Sequence, residues 1–309
     1  MNKVCVLGSI NMDFVIKVKD MPQEGETILS KGFEKIPGGK GANQAVAAAR
    51  CGNSVSMIGR IGEDSDGRYL KKLLEEEGIN ATHILEDKEN STGMAMITVN
   101  DKGNNSIVVI AGANMGITKK NIEDAKSVIE ESDILISQFE TPIDLTLESF
   151  KIAKENNKIT ILNPAPATKI DDELLKYVDI IIPNETEAEL LTGVKVESLE
   201  DARKAGDVFL SKGVKYAIIT LGSKGAAVIA KEKGDIVPAF KVNAIDTTAA
   251  GDSFIGGLST KLDIANLDFD NLLKAVKFGN KVSSITVQRK GAQPSIATIQ
   301  EVIEVYGEE

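Results

Sequence analysis

The chain has 309 residues, with 36 Lys and Arg against 46 Asp and Glu, for a formal charge of −10. Such a balance argues against a partner held by bulk positive charge, nucleic acid above all, while leaving room for a phosphate ligand gripped by local groups. His83, Cys5 and Cys51 are the only residues of their types. Their scarcity excludes a His-based catalytic pair, a four-thiolate zinc site and a disulfide framework within one chain, so any general base is expected to be a carboxylate.

The opening MNKVCVLGSINMD carries too short an apolar run for a secretory signal, and no stretch reaches the roughly 18 apolar residues of a membrane span. A cytoplasmic chain without a membrane partner is expected, its cysteines buried as free thiols. In chain order, a strand at 3–8 is followed by a helix at 41–51, a strand at 55–61 and a helix at 67–77. A helix at 119–131, a strand at 133–137, a helix at 144–156 and strands at 158–162 and 179–182 come next. Helices at 186–191 and 199–212, strands at 216–221 and 226–230, and helices at 251–262, 271–286 and 298–306 complete the series. Runs such as DIIIPN and AIITLG suit strands buried on both faces, and their alternation with helices predicts an α/β fold with a mostly parallel, Rossmann-like sheet flanked by helices. Two segments lack helical period. Residues 12–37 hold FVIKV and ILSKGFEKI, and 92–111 read TGMAMITVNDKGNNSIVVIA, a hairpin pattern around Asp-Lys-Gly-Asn. One domain over 1–309 is expected, with these two insertions forming a small β-sheet. His83 is expected in a loop without a role, and Glu75–Glu77 (75–77) on a solvated helix face.

Five strings could carry chemistry. AIDTTAAGDSF (244–254) leads small residues into an apolar helix, whose first N–H groups and macrodipole favour an anion; Asp252 stands on the first turn, where it could accept a hydroxyl proton, although a capped helix would read the same. PGGKGANQ (37–44) also opens a helix; Glu34 occupies the place of the first glycine in GxxxxGK, so it is no P-loop. In GSINMD (8–13) the alternate spacing puts Asn11 and Asp13 on one face, suited to a polyol. In IPNETEAE (182–189) Asn184 and Glu187 could hold a hydrated magnesium ion. TLGSKG (220–225) is a turn whose glycines could admit a nucleotide. Glu140, in QFE, ends another strand.

Taken in order, GSINMD, GGKGANQAVAAAR, the Gly59-x-x-Gly62-x-Asp64-x-x-Gly67 spacing, NPAPA, PNETEAE, ITLGSKG, DTTAAGDSF and RKGAQPS resemble the ribokinase branch of the carbohydrate kinase family that also holds fructokinases and adenosine kinases. The resemblance runs from residue 3 to about 305. It implies ATP-dependent phosphorylation of D-ribose at its 5-hydroxyl, with deoxyribose, fructose or a nucleoside as alternative acceptors; the low aromatic content leans away from a nucleoside. It implies Asp252 as base, and the N–H groups of Ala249, Ala250, Gly251 and Asp252 as an anion hole. It implies Asn11, Asp13, Gly39, Lys40, Gly41, Asn43 and Glu140 around the sugar. Asn184, Thr220, Leu221, Gly222, Ser223, Lys224, Gly225 and Asn280, with Gly251 and Asp252, would line the ATP site. Glu187 would act on Mg2+ through water. Asp246, Thr248, Thr286, Arg289, Gly291 and Ser295 would surround a monovalent cation, K+. The β-sheet would be a lid that joins two copies as a homodimer.

Overall fold

Residues 1–308 are described in a computed structural model. In chain order the strands are β1 (Lys3–Leu7), β2 (Asn11–Val18), β3 (Gly32–Gly38), β4 (Ser54–Gly62), β5 (Asn80–Asp87), β6 (Gly93–Asn100), β7 (Asn105–Ile110), β8 (Ile134–Ser137), β9 (Ile159–Leu162), β10 (Ile180–Ile181), β11 (Tyr216–Thr220), β12 (Ala226–Ile229) and β13 (Gly234–Val237). The helices are α1 (Lys40–Arg50), α2 (Ser65–Glu76), α3 (Lys119–Asp124), α4 (Lys126–Glu131), α5 (Ile143–Glu155), α6 (Asp172–Leu175), α7 (Glu185–Thr192), α8 (Leu199–Ser211), α9 (Ala250–Lys261), α10 (Phe269–Thr286) and α11 (Ile299–Tyr306).

Nine strands form one sheet in the order β13-β12-β11-β10-β9-β8-β1-β4-β5. Neighbours from β5 across to β11 run parallel, and β12 and β13 add an antiparallel edge. Apolar side chains on both faces of the central strands demand cover on both sides. Val4, Val6, Ile134 and Ile161 pack under α1, α9 and α10, whereas Cys5, Leu7, Leu135 and Leu162 pack under α5 and α8. Gly256 lets α9 lie close to α1, since a Cβ there would stand 2.4 Å from that of Ala47. Cys5 and Cys51 are buried free thiols, pushed up to about 12 by burial. No described helix is long and apolar enough to cross a membrane.

The two segments without helical period supply the second sheet, ordered β3-β2-β6-β7. Pairing of Asp13 with Ala95 and of Ala95 with Val109, then Val15 with Ile97 and Ile97 with Ile107, puts these residues on one face. β7 is exposed on both faces: Ile107 is 51% and Val108 61% accessible.

Three local expectations need correction. The helix expected at 119–131 is broken at Ala125, which ends α3 and begins α4. His83 is half-buried within strand β5, opposite Ile58, because this edge strand mixes polar and apolar residues and hides its β signal. Glu77 of the acidic run is not merely solvated; its carboxylate accepts from the Arg50 guanidinium.

Register places the site. Leu7, Ser137, Leu162 and Ile181 stand in one row across β1, β8, β9 and β10. The residues that follow them (Gly8–Ser9, Gln138–Glu140, Asn163 and Ile182) therefore leave the sheet side by side at its carboxyl edge, where open α/β sheets hold ligands.

Candidate active site

The start of α1 lies directly on the end of β1. A Cβ on Gly41 would fall 2.5 Å from the Gly8 carbonyl carbon, and one on Gly8 2.2 Å from Gln138 Oε1. Gly39 is left-handed at φ 91°, and a Cβ on Gly38 would strike the Asp13 carboxylate at 2.3 Å. The glycines of GGKG thus serve close packing around the site. Burial works against the charge of Lys40 here, but the carboxylates of Asp252, Glu140 and Glu187 outweigh it and hold the ammonium above the usual lysine range.

Across from α1, helix α9 is preceded by Ala249, a left-handed non-glycine residue at φ 59°, with no side-chain cap on the helix's first N–H groups. The first i→i−4 bond is donated by Ser253 N–H to the Ala249 carbonyl, so the Gly251 and Asp252 N–H groups lie before the helical ladder. Ala250 N–H turns back to the Thr247 carbonyl at 3.2 Å, which engages one of the donors expected in the anion hole. A Cβ on Gly251 would meet nothing within 4 Å, so the space above the helix start is open. The Asp252 carboxylate is 9% exposed; Oδ2 accepts from Asn43 Nδ2 and Oδ1 from Gln44 Nε2, each at 2.9 Å.

Two cavities meet at this carboxylate. One, of ≈ 490 Å³, is walled by Asn11, Asp13, Gly39, Lys40, Asn43, Glu140 and Asp252 below and by Ala95, Ile97, Ile107 and Val109 of the small sheet above. The other, of ≈ 190 Å³, is lined by Asn184, Glu187, Thr220 and Thr247, and by the helix start from Ala249 to Asp252. Lys40, Ala249 and Asp252 belong to both. The larger cavity is rich in acceptors. Asn43 Oδ1 is buried without a partner. Burial, then the Glu140 and Asp252 charges, push the Asp13 carboxyl up to about 7. Ser9 and the Lys40 N–H both donate to Glu140 Oε2. Acceptors of this kind suit the hydroxyls of a polyol.

On the other side, Asn184 and Glu187 form a reciprocal capping box at the start of α7, and burial raises the Glu187 carboxyl. Glu187 Oε2 is taken by the Asn184 N–H at 2.9 Å. Among the described residues no group of three or more acidic, His or Cys side chains could hold a metal; the Glu187 carboxylate and Asn184 amide oxygen are hard oxygen donors, the ligand type a hydrated magnesium ion takes. Gly222, Ser223 and Lys224 form an exposed turn next to buried Leu221 and Gly225. Asn280 stands apart from both cavities, its Nδ2 donating to the Val237 and Pro238 carbonyls.

The loop before α9 is tied to the segment after α10. Asp246 Oδ1 accepts from Thr248 N and Oγ1, and Oδ2 from Gly291 N. Burial opposes the Asp246 charge, but these bonds hold its carboxyl below the usual range. Asp246, Thr248 and Gly291 therefore come together, with the Asp246 carboxylate at their centre. The Arg289 side chain pairs with Glu301, and the buried hydroxyls of Thr286 and Ser295 donate to the Val282 and Ala292 carbonyls, which leaves the backbone carbonyls of these three residues as their route to a cation.

Four participants were not assigned roles from the sequence. Gln44 and Gln138 touch Asp252 directly or through each other, Asn163 accepts from Gln44, and Asn114 Nδ2 donates to Asn11 Oδ1 at 2.7 Å. Three of them sit inside quoted strings (GGKGANQ, QFE, NPAPA), which was the available signal; Asn114 had none.

The chain matches the pfkB family carbohydrate kinase description over residues 1–299 and belongs to that family. Within it, the chain is 47% identical over 299 residues to ribokinase of Haemophilus influenzae, covering 97% of this chain and 96% of that one. It is 44% identical over 305 residues to ribokinase of Staphylococcus aureus, covering 98% and 99%. The structure of Arabidopsis thaliana ribokinase complexed with ribose and ATP superimposes with a TM-score of 0.91 at 30% identity, covering 100% of this chain and 99% of that one.

Proposed function

We propose that the chain transfers the γ-phosphoryl group of ATP to the 5-hydroxyl of D-ribose. The observation that carries this reading is the meeting of an acceptor-lined cavity and a helix-start cavity at one carboxylate, Asp252. The ribokinase names of the relatives, and the ribose and ATP of the Arabidopsis complex, support the choice of sugar and nucleotide.

Phosphoryl transfer asks mainly for alignment and for stabilisation of charge on the moving group. In this reading Asn11, Asp13, Asn43 and Glu140 hold the sugar hydroxyls, Asn43 Oδ1 gaining the donor it lacks. Asp252 takes the hydroxyl proton as the bond to phosphorus forms. The Gly251 and Asp252 N–H groups, the α9 dipole and the Lys40 ammonium face the developing phosphoryl charge. ATP lies along Asn184, Thr220 and the turn at Gly222–Lys224 (222–224). Glu187 would help hold a Mg2+ ion delivered with ATP, which would supply positive charge to offset that of the phosphates. Asp246 would help hold a K+ ion, whose charge would steady the loop before α9. The small sheet closes over the sugar, and its exposed β7 pairs with a second copy. ATP use and two free thiols support a cytoplasmic setting.

The test is ADP release measured with ribose, deoxyribose, fructose and adenosine. Ribose is expected to give the highest kcat/KM; turnover of adenosine with none of ribose would overturn the assignment.

A further inference from the structure

Behind the Asp252 carboxylate lies a buried amide chain drawn from four separate elements. Gln138 Nε2 donates to Gln44 Oε1 at 2.7 Å. Gln44 Nε2 donates to Asp252 Oδ1 at 2.9 Å and to Asn163 Oδ1 at 3.2 Å. Asn163 Nδ2 donates to the Ile182 carbonyl at 3.0 Å. Gln44 and Gln138 are 0% exposed. The direction of this chain is fixed at its far end. A backbone carbonyl only accepts, so Asn163 must aim its NH2 at Ile182 and its oxygen at Gln44. Gln44 must then present its NH2 to Asn163, and with it to Asp252. Reversal of Gln44 would set its oxygen against the Asn163 oxygen and the Asp252 carboxylate, and its NH2 against the Gln138 NH2, each a costly buried mismatch.

We infer that Gln44, braced by Gln138 and Asn163, is a positioning residue that fixes the plane of the Asp252 carboxylate where the two cavities meet. This rests on the reading of Asp252 as the base. Asn43 holds the other oxygen from the same helix, but it also faces the sugar cavity. Gln44 lines neither cavity; it reaches the site through Asp252 and, more weakly, through Asn163, which borders the smaller cavity. Rotation of the carboxylate is blocked while each oxygen keeps a second lone pair for the incoming hydroxyl.

The test is steady-state kinetics of Gln44→Met, of Asp252→Asn and of the double variant, on chains whose folding is checked by melting temperature. Gln44→Met is expected to lower kcat about tenfold or more, with KM for sugar and for ATP within about threefold of wild type. In the Asp252→Asn background the same change is expected to cost less than about twofold, because its main route of action is gone; a KM for ATP that stays within about threefold in the single variant separates this from an effect through Asn163. A kcat within about twofold of wild type, a rise confined to KM, or fully additive losses would overturn the inference. Should Gln44→Met not fold, Gln138→Met is judged by the same criteria, since it removes the brace alone. An inactive wild-type chain across the whole sugar panel would instead remove the reading of Asp252 itself, a result distinct from an active wild type with an equally active variant.

Discussion

At the residue scale the site concentrates negative charge around one ammonium. Asp13, Glu140, Asp252 and Glu187 all act on Lys40 or on one another. Two consequences follow. Asp252→Asn keeps the shape of the side chain and removes its basicity; kcat is expected to fall roughly 10²–10⁴-fold with an unchanged melting temperature, and an unaltered kcat would remove Asp252 from the role of base. Asp13 behaves differently. Its carboxyl is pushed up to about 7 in the folded chain against an ordinary 3.8. Between those values the folded state holds a proton that the unfolded state has lost, so this group's contribution to stability declines as pH rises from about 4 to 7. Asp13→Asn is therefore expected to raise the stability of the ligand-free chain at pH 8 by roughly 1–3 kcal/mol, measured by denaturant titration, while sugar turnover collapses. A variant less stable than wild type at pH 8 would contradict this. For the wild type, sugar KM is expected to climb below about pH 7, as Asp13 takes up a proton and loses acceptor capacity.

At the element scale, glycines that look alike in sequence do opposite work. Gly41→Ala would drive a Cβ to 2.5 Å from the Gly8 backbone, where no flexible side chain can yield; a loss of about 1–3 kcal/mol is expected. Gly251→Ala would meet nothing within 4 Å, so stability should hold or improve by up to about 1 kcal/mol, while kcat falls as the methyl group crowds the open helix start. Comparable melting temperatures for the two variants would refute the distinction. The Asp246–Gly291 tie concerns the same helix start: exchange of potassium for lithium is expected to lower turnover severalfold, and equal rates in both salts would remove the cation from the account. Much of the fold was legible at this scale, because apolar runs such as Ile180–Ile181 and the period of α9 report burial directly. Strand β5 was not legible, since an edge strand carrying Asn80, Thr82, His83 and Glu86 has no clean alternation. Asp252 could be singled out because a helix start is a local signal. Gln138 and Asn163 could not be given roles, because the register of β1, β8 and β9, which no short string encodes, brings them to Gln44.

At the scale of the whole molecule, the small sheet ends in an exposed apolar edge strand. Ile107, Val108, Val109 and Ile110 are all at least 39% exposed, on a strand paired only on one side; contiguous apolar exposure of this kind marks an association surface. A dimer is expected by light scattering at micromolar concentration, and Val108→Lys is expected to shift it toward monomer. A wild-type monomer under those conditions would count against the lid pairing.

The common row that ends β1, β8, β9 and β10 also governs the order in which the chain can become competent during synthesis. β1 and β4 can pair once residue 62 has been made, and α1, carrying Asn43 and Gln44, is then already in place. Gln44's two inner neighbours arrive only with residues 138 and 163, and Asp252 only with α9. Until α9 docks between α1 and α10, the amides of Asn43 and Gln44 are donors without their carboxylate, held near an unfilled core. A nascent chain halted before residue 250 should thus expose the apolar sheet face that α9 and α10 cover, with those two amides at its edge. Competence should then appear in a single late step, not in stages.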